Sequence, residues 1–418
     1  MSQNIRSHAL LKKGLAVAVT AVMMSSVHAA TTDKEEIQKL RQEVEALKSL
    51  VQQQAQVQQQ QQVRLAQTQT AQAPAAAPVG LKSKAGASVN VYGFVRGDAN
   101  YIIEGADNDF NSVNSVAGST KQVEDKLRAT AKTTRIGLDF KTNVEGADVG
   151  GKIEADFAGG DAEQFRIRHA YLTLNNWLFG QTTSNFLSNH APEMIDFGTN
   201  VGGGTARIPQ VRYSHKLAPQ TQLFVSAEEG NSSGTDVKYS LPNLTAKVTQ
   251  GFAEGKGQAS ARALVEHYKA GSADDAIGWG VAAGANFKVS DPLQVSADVS
   301  YVNGNSNYLY GSNSAYSVVN GDIEQNEFIA TQVGATYKIL PNLRSTLAYG
   351  AIFADDGTDF AKVNTSANEK VQQAWINFIY TPVKPVDLGV EYVNGKRETF
   401  AGQSFKDNRI GLMAKYNF

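Results

Sequence analysis

The ten residues Arg409–Phe418 read RIGLMAKYNF, and the fold assignment starts from them. In an extended strand, side chains alternate between two faces. Ile410, Leu412, Ala414, Tyr416 and Phe418 then share one face, and Arg409, Gly411, Met413, Lys415 and Asn417 share the other. One face is apolar and ends in an aromatic; the other is polar. That is the pattern of a transmembrane β-barrel strand, apolar toward lipid and polar toward a lumen.

The same alternation recurs upstream from Ser88. Thr134–Thr142 sets Ile136, Leu138 and Phe140 against Arg135, Asp139 and Lys141. Val149–Phe157 sets Ile153, Ala155 and Phe157 against Lys152, Glu154 and Asp156. In Ile277–Val289 the apolar face (Ile277, Trp279, Val281) opposes glycine, alanine, Asn286 and Lys288. Leu293–Tyr301, Leu343–Phe353 and Asp387–Tyr392 behave alike. Short links such as Ser290-Asp291-Pro292 and Leu340-Pro341-Asn342 alternate with long polar ones such as Gly105–Glu124, Asn303–Glu324 and Ala354–Glu369. Spanning strands take about 10 residues each, so sixteen strands over residues 88–418 leave links averaging about 10. Eight strands would demand links of about 30, against the short turns seen. The expected fold class is all-β: a 16-stranded antiparallel transmembrane β-barrel, with eighteen strands as the other possibility, preceded by an N-terminal α-helical coiled coil. A soluble sandwich would need a second apolar layer, whereas the second face here is charged or glycine-rich.

Composition narrows the function classes. The chain has no cysteine, which excludes disulfides and thiolate metal sites. Arg6, Lys12 and Lys13 are the only charges before residue 30, so removing that segment leaves 36 basic against 40 acidic residues, or −4. That charge offers no general attraction for nucleic acid, and no nucleic-acid partner is expected. Mean hydropathy is −0.31, which alternating strands reconcile with a membrane location.

The N-terminal quarter has its own organisation. Residues 1–29 read as a secretory signal: a basic start, the apolar core Gly14–Met24, and Val27-His28-Ala29 before the cut. The core is shorter than the roughly 20 residues of a membrane span. Residues 30–70 contain a heptad, with Ile37, Leu40, Val44, Leu47 and Val51 as the coiled-coil core, Glu36 and Glu43 at g, and Arg41 and Lys48 at e. Beyond Val51 the core positions turn to glutamine, which favours helix but buries little. The alternatives are a solvated helix or disorder. Residues 71–87, with Pro74 and Pro78, read as a linker, and 88–418 as the outer-membrane barrel.

The order of segments carries a family resemblance. It runs through the signal, the Gln-rich heptads, the Pro/Ala linker, Val89–Asp98 (VNVYGFVRGD), Phe165–Leu174 (FRIRHAYLTL), Phe179–Phe186 (FGQTTSNF), Pro192–Gly198 (PEMIDFG), Arg207–His215 (RIPQVRYSH) and the final Phe418. This resembles the DcaP-like outer-membrane porins of Gram-negative bacteria. The resemblance implies a homotrimer of sixteen-stranded barrels, each with its own pore, and a periplasmic coiled coil. It also implies uptake of small anionic solutes, dicarboxylates in particular. The heptad chemistry by itself leans toward dimers; a barrel–barrel interface is expected to set the stoichiometry. An even strand number returns residue 88 to the periplasmic side, so Thr32–Gln69, roughly 57 Å long if wholly helical, would hang below the outer membrane.

A passive pore discriminates by width and lining charge. The long segment Leu187–Ala206 lies between two strands and resembles the loop that narrows many porins; an ordinary external loop is the alternative. Arginines are the candidate pore-lining and anion-binding residues: Arg135 on the polar face of an early strand, Arg166 and Arg168 sharing one face, Arg207 and Arg212 bracketing the next strand, and Arg262, Arg344 and Arg409 on polar faces of later ones. Their planar forks suit carboxylates. Each can instead be a structural partner of a wall carboxylate such as Asp139, Glu154 or Asp156. Acidic clusters (Glu104, Asp107 and Asp109; Asp274 and Asp275; Asp355, Asp356 and Asp359) are expected as solvated loop charge rather than a metal site. No catalytic residue, cofactor or metal is expected. Gly251–Gly257 misplaces its lysine for a phosphate loop, Gly202-Gly203-Gly204 reads as a flexible stretch, and His169 and His215 are assigned to membrane interfaces. The competing functional class is a structural or adhesive outer-membrane barrel that tethers the envelope through its coiled coil.

Overall fold

The computed structural model describes residues 81–418 apart from 85, 118–121, 161–162, 231–236, 239–240, 271–274 and 306–307. The expected signal, coiled coil and most of the linker lie outside the described residues. Nineteen segments pair in one sheet. Two of these are dipeptides, Leu81–Lys82 and Val237–Lys238, and two are halves of one interrupted strand. Sixteen staves remain, which settles the choice between sixteen and eighteen. They are β1 (Ser88–Ala106), β2 (Gln122–Thr130 with Arg135–Val144), β3 (Ala147–Asp156), β4 (Arg166–Leu174), β5 (Trp177–Thr183), β6 (Arg207–Ala218), β7 (Thr221–Glu228), β8 (Asn243–Phe252), β9 (Gly257–Ala270), β10 (Asp275–Lys288), β11 (Leu293–Asn303), β12 (Glu327–Leu340), β13 (Leu343–Ala354), β14 (Asn368–Val383), β15 (Val386–Thr399) and β16 (Ser404–Asn417).

Each stave pairs antiparallel with the next, and β1 pairs with β16 from Phe94↔Asn417 to Glu104↔Asn408, which closes the barrel. Closure leaves no edge strand to unpaired backbone groups, the condition for crossing a bilayer with strands. The β2–β3 turn puts positive φ at both Glu145 and Gly146, as a two-residue type I′ hairpin requires. The links on that rim are short. The opposite rim carries the long ones, residues 107–121, 184–206 and 304–326 among them.

The alternation read from Arg409–Phe418 is present. Ile410, Leu412 and Tyr416 are exposed on the outside, while Arg409 and Met413 are buried inside. β10 repeats it, with Ile277, Trp279 and Val281 exposed outward. The inner side departs from a uniformly polar lumen. Phe186, Leu187, Val201, Tyr308 and Leu309, from the segments 184–206 and 304–326, pack with Leu264, Val302, Phe328 and Ile352 of β9, β11, β12 and β13 as one buried apolar cluster. Val113 of the segment 107–121 joins the same cluster, so three long loops fold inward and fill one side of the barrel, each fully buried side chain contributing about 1.5–3 kcal/mol.

Candidate functional site

The segment 184–206 crosses the lumen and is tied to the wall along its length. At its start, Asn185 Nδ2 donates to Ser226 Oγ (2.7 Å). His190 Nε2 lies 3.0 Å from Ser260 Oγ on β9. Glu193 forms a two-bonded pair with Arg344 (2.8 Å each), and its backbone oxygen accepts from Trp375 Nε1 and Asn377 Nδ2 (3.0 Å each). The Glu391 carboxylate accepts the backbone N–H of Ile195 and Asp196 (2.8 Å each). Arg96 on β1, paired with Asp98 at 2.6 Å, donates to the Ile195 carbonyl at 2.5 Å. The segment therefore lies inside the barrel, not on its outer rim. The triple glycine is part of the fit. Gly202 has φ +77°, and a Cβ there would stand 2.3 Å from Thr331 O; one on Gly204 would stand 2.0 Å from Tyr308 O. What read as slack is a close approach between loop, wall and the segment 304–326.

Asp196 joins this loop to the first one. Its carboxylate accepts from Asn111 N (2.9 Å) and Gly198 N (2.7 Å). Burial pushes its carboxyl up to about 6, although Arg409 and these backbone donors oppose the shift.

One cavity, of about 450 Å³, lies between these loops and the wall formed by β2, β3, β4 and β6. Four of the eight candidate arginines line it: Arg135, Arg166, Arg168 and Arg207. A register shift between Glu154 and Ala155 leaves Arg168 as an extra residue in β4. Such a bulge re-aims side chains, and here both Arg168 and His169 reach groups on the inner wall. Arg166 binds Asp156 through two bonds (2.8 and 2.7 Å). Arg168 reaches Glu154 (2.9 Å) and Asp156 (2.7 Å). Arg135 lies 3.4 Å from Glu154 and stacks over Phe94. Arg207 donates to Thr205 O (3.1 Å) and toward His169 Nε2 (3.5 Å), and has no carboxylate partner among the described residues. Four guanidinium groups against Glu154 and Asp156 leave this wall at +2.

The other four candidates stand elsewhere. Arg212 donates to Gln210 Oε1 (3.0 Å) and to the Thr183 carbonyl. Arg262 is buried against Asp298 at 2.7 Å, reaching it across Gly284, where a Cβ would sit 2.0 Å from the carboxylate. Arg344 holds Glu193. Arg409 is fully buried between Asp407 (2.8 Å) and the carbonyls of Ala106 and Asn108.

Sequence reasoning missed several contributors. Arg96 anchors the loop tip, and Lys247 on β8 stands near Phe224 without an ion pair among the described residues. Phe110, Met194, Phe197 and Tyr310 face the cavity from loops whose destination no local pattern announces. One expectation is corrected: His169 is not at a membrane interface but bonds Thr182 Oγ1 (3.0 Å) beside Arg207 on the inner wall. Asp107 is exposed loop charge, and it and Asp109 pair there with Lys126, Arg128 and Lys132 at 2.6–2.9 Å.

Comparisons with known proteins agree with this architecture. The family model described as DcaP outer membrane protein matches residues 18–418. The crystal structure of the outer membrane channel DcaP of Acinetobacter baumannii is 73% identical, with TM-score 0.79 over 81% of this chain and 99% of that one. OmpT of Vibrio cholerae (15% identity, TM-score 0.53, 81% and 100% covered) shares the fold alone. So does an anion-selective porin from Comamonas acidovorans (12%, 0.54, 79% and 100%). No curated protein matches. A closed sixteen-stranded barrel, a loop folded into its lumen and a near-complete match to a channel at high identity converge: the chain is an outer-membrane channel and belongs to the DcaP outer membrane protein family.

Proposed function

We propose that the channel is a passive diffusion pore for small anions, dicarboxylates in particular. The observation that carries this is the +2 wall of Arg135, Arg166, Arg168 and Arg207 beside the inward loop. A guanidinium pairs with a carboxylate through two parallel bonds. Asp156 already occupies Arg166 in that way, while Arg207 offers its fork to neutral partners only. A dianion gains twice from such a wall, and exchange with water keeps its residence short.

The assembly belongs to the same reading: a homotrimer in the outer membrane, with residues 30–70 as a periplasmic coiled coil. Short-turn rims of outer-membrane barrels face the periplasm, and both ends of the sixteen-stave sheet emerge on that rim. Reversal potentials of the purified protein in planar bilayers under a potassium chloride gradient test the selectivity, with liposome swelling in succinate against neutral solutes of equal size. Chloride preference and faster succinate entry are expected; preference for potassium overturns the reading.

A further inference from the structure

The cavity has two unlike walls. Arginines from the strands form one; Phe110, Met194, Phe197 and Tyr310, all on loops, form the other. Phe197 is the decisive residue. It sits on a loop inside the barrel, out of reach of lipid, yet it is 40% exposed. Leaving apolar surface in water costs about 25 cal/mol per Å², and an apolar patch left open on a wet surface marks a place where something binds.

The ring is also held still. The short 3₁₀ turn Phe197–Thr199 is capped by Asp196, which accepts from Gly198 N at 2.7 Å. The two preceding backbone N–H groups are clamped by Glu391. Arg96 lies 4.5 Å from the Phe197 ring centroid, and the Phe110 ring packs at 6.0 Å, tilted by 55°. A fixed, partly bare aromatic opposite a guanidinium wall is a site for a molecule with a charged end and a flat apolar body.

We propose that this cavity favours anions with an aromatic body: the carboxylate engages the arginine wall while the ring lies against Phe197 and its neighbours. The inference rests on the anion-channel reading and narrows its substrate class. A fully polar dianion uses the arginine wall alone; an aryl carboxylate uses both.

Benzoate and acetate carry the same charge and differ in the ring. Reversal potentials of the full-length protein, measured with sodium benzoate or sodium acetate opposite sodium chloride, give their permeability ratio. In the wild type this ratio is expected to exceed the ratio of the two ions' aqueous diffusion coefficients. Phe197→Ser should lower it by about twofold to tenfold, the range that an aromatic contact supplies. Phe197→Tyr, which keeps the ring, should retain it. A wild-type ratio at the diffusion value, an unchanged ratio in Phe197→Ser, or an equal loss in Phe197→Tyr overturns the inference. If chloride is still preferred over sodium in that case, only this inference falls; a wild type that prefers sodium removes the anion-channel reading beneath it.

Discussion

Arg207 and Arg409 carry the same charge in different settings. Arg207 is half-buried on the cavity wall with neutral partners, whereas Arg409 is sealed between Asp407 and two carbonyls. Losing one unpaired charge beside the passage changes an ion's energy there by about 1 kcal/mol. Arg207→Gln should therefore lower chloride entry about fivefold and raise sodium entry by a like factor, so that the chloride-to-sodium permeability ratio read from reversal potentials falls about thirtyfold, while the unfolding midpoint stays in place. Arg409→Met should do the reverse. It leaves Asp407 buried without its partner, a loss of about 3–5 kcal/mol, visible as earlier unfolding in urea with selectivity little changed. Alternation put Arg135, Arg262, Arg344 and Arg409 on the polar face, but it could not place both Arg207 and Arg212, which stand five residues apart on one strand, and it did not sort the free from the paired. The partners explain why. Asp298 meets Arg262 across an intervening glycine strand, and Glu193 meets Arg344 from a loop 151 residues away in sequence. Neither contact leaves a mark near the arginine itself.

At the scale of one element, the inward loop is governed by buried polar groups. Asp196 faces Arg409 and Asp407 on β16 and Glu391 on β15, and Arg96 on β1 bonds the adjacent Ile195 carbonyl. With its carboxyl raised to about 6, above the ordinary 3.8, the folded form binds the proton more tightly than the undocked form. Docking is accordingly weakest above about pH 6 and strengthens as pH falls through that value toward 3.8. Corrected hydrogen exchange of the Asn111 and Gly198 amides should be slower at pH 5 than at pH 7.5, and Asp196→Asn should shrink the difference. The existence of this loop was legible as a long gap between strands. Its course was not, because the groups that receive it (Ser260, Trp375, Asn377, Glu391) read locally as ordinary wall residues.

For the whole molecule, the period-two pattern gave the class, and chain length narrowed the staves to sixteen or eighteen; the choice between them came from the pairing itself, since each register depends on which face meets lipid. The same pattern predicts where charge is forbidden. Val281 is 49% exposed on the outer face of β10. Val281→Lys should cost about 2–4 kcal/mol if it lies near the bilayer midplane, measured as reduced recovery of folded, heat-modifiable protein in lipid vesicles. What the pattern missed was the interior packing of loop against wall, which depends on three distant segments meeting. The tip of the inward loop rests on Arg96 of the first stave, Glu391 of the fifteenth and Met413 of the last. These three meet around residue 195 where the two ends of the sheet join. The sieve consequently depends on the seam: a barrel opened there would keep its wall and lose the support of its filter, so selectivity and closure stand or fall together.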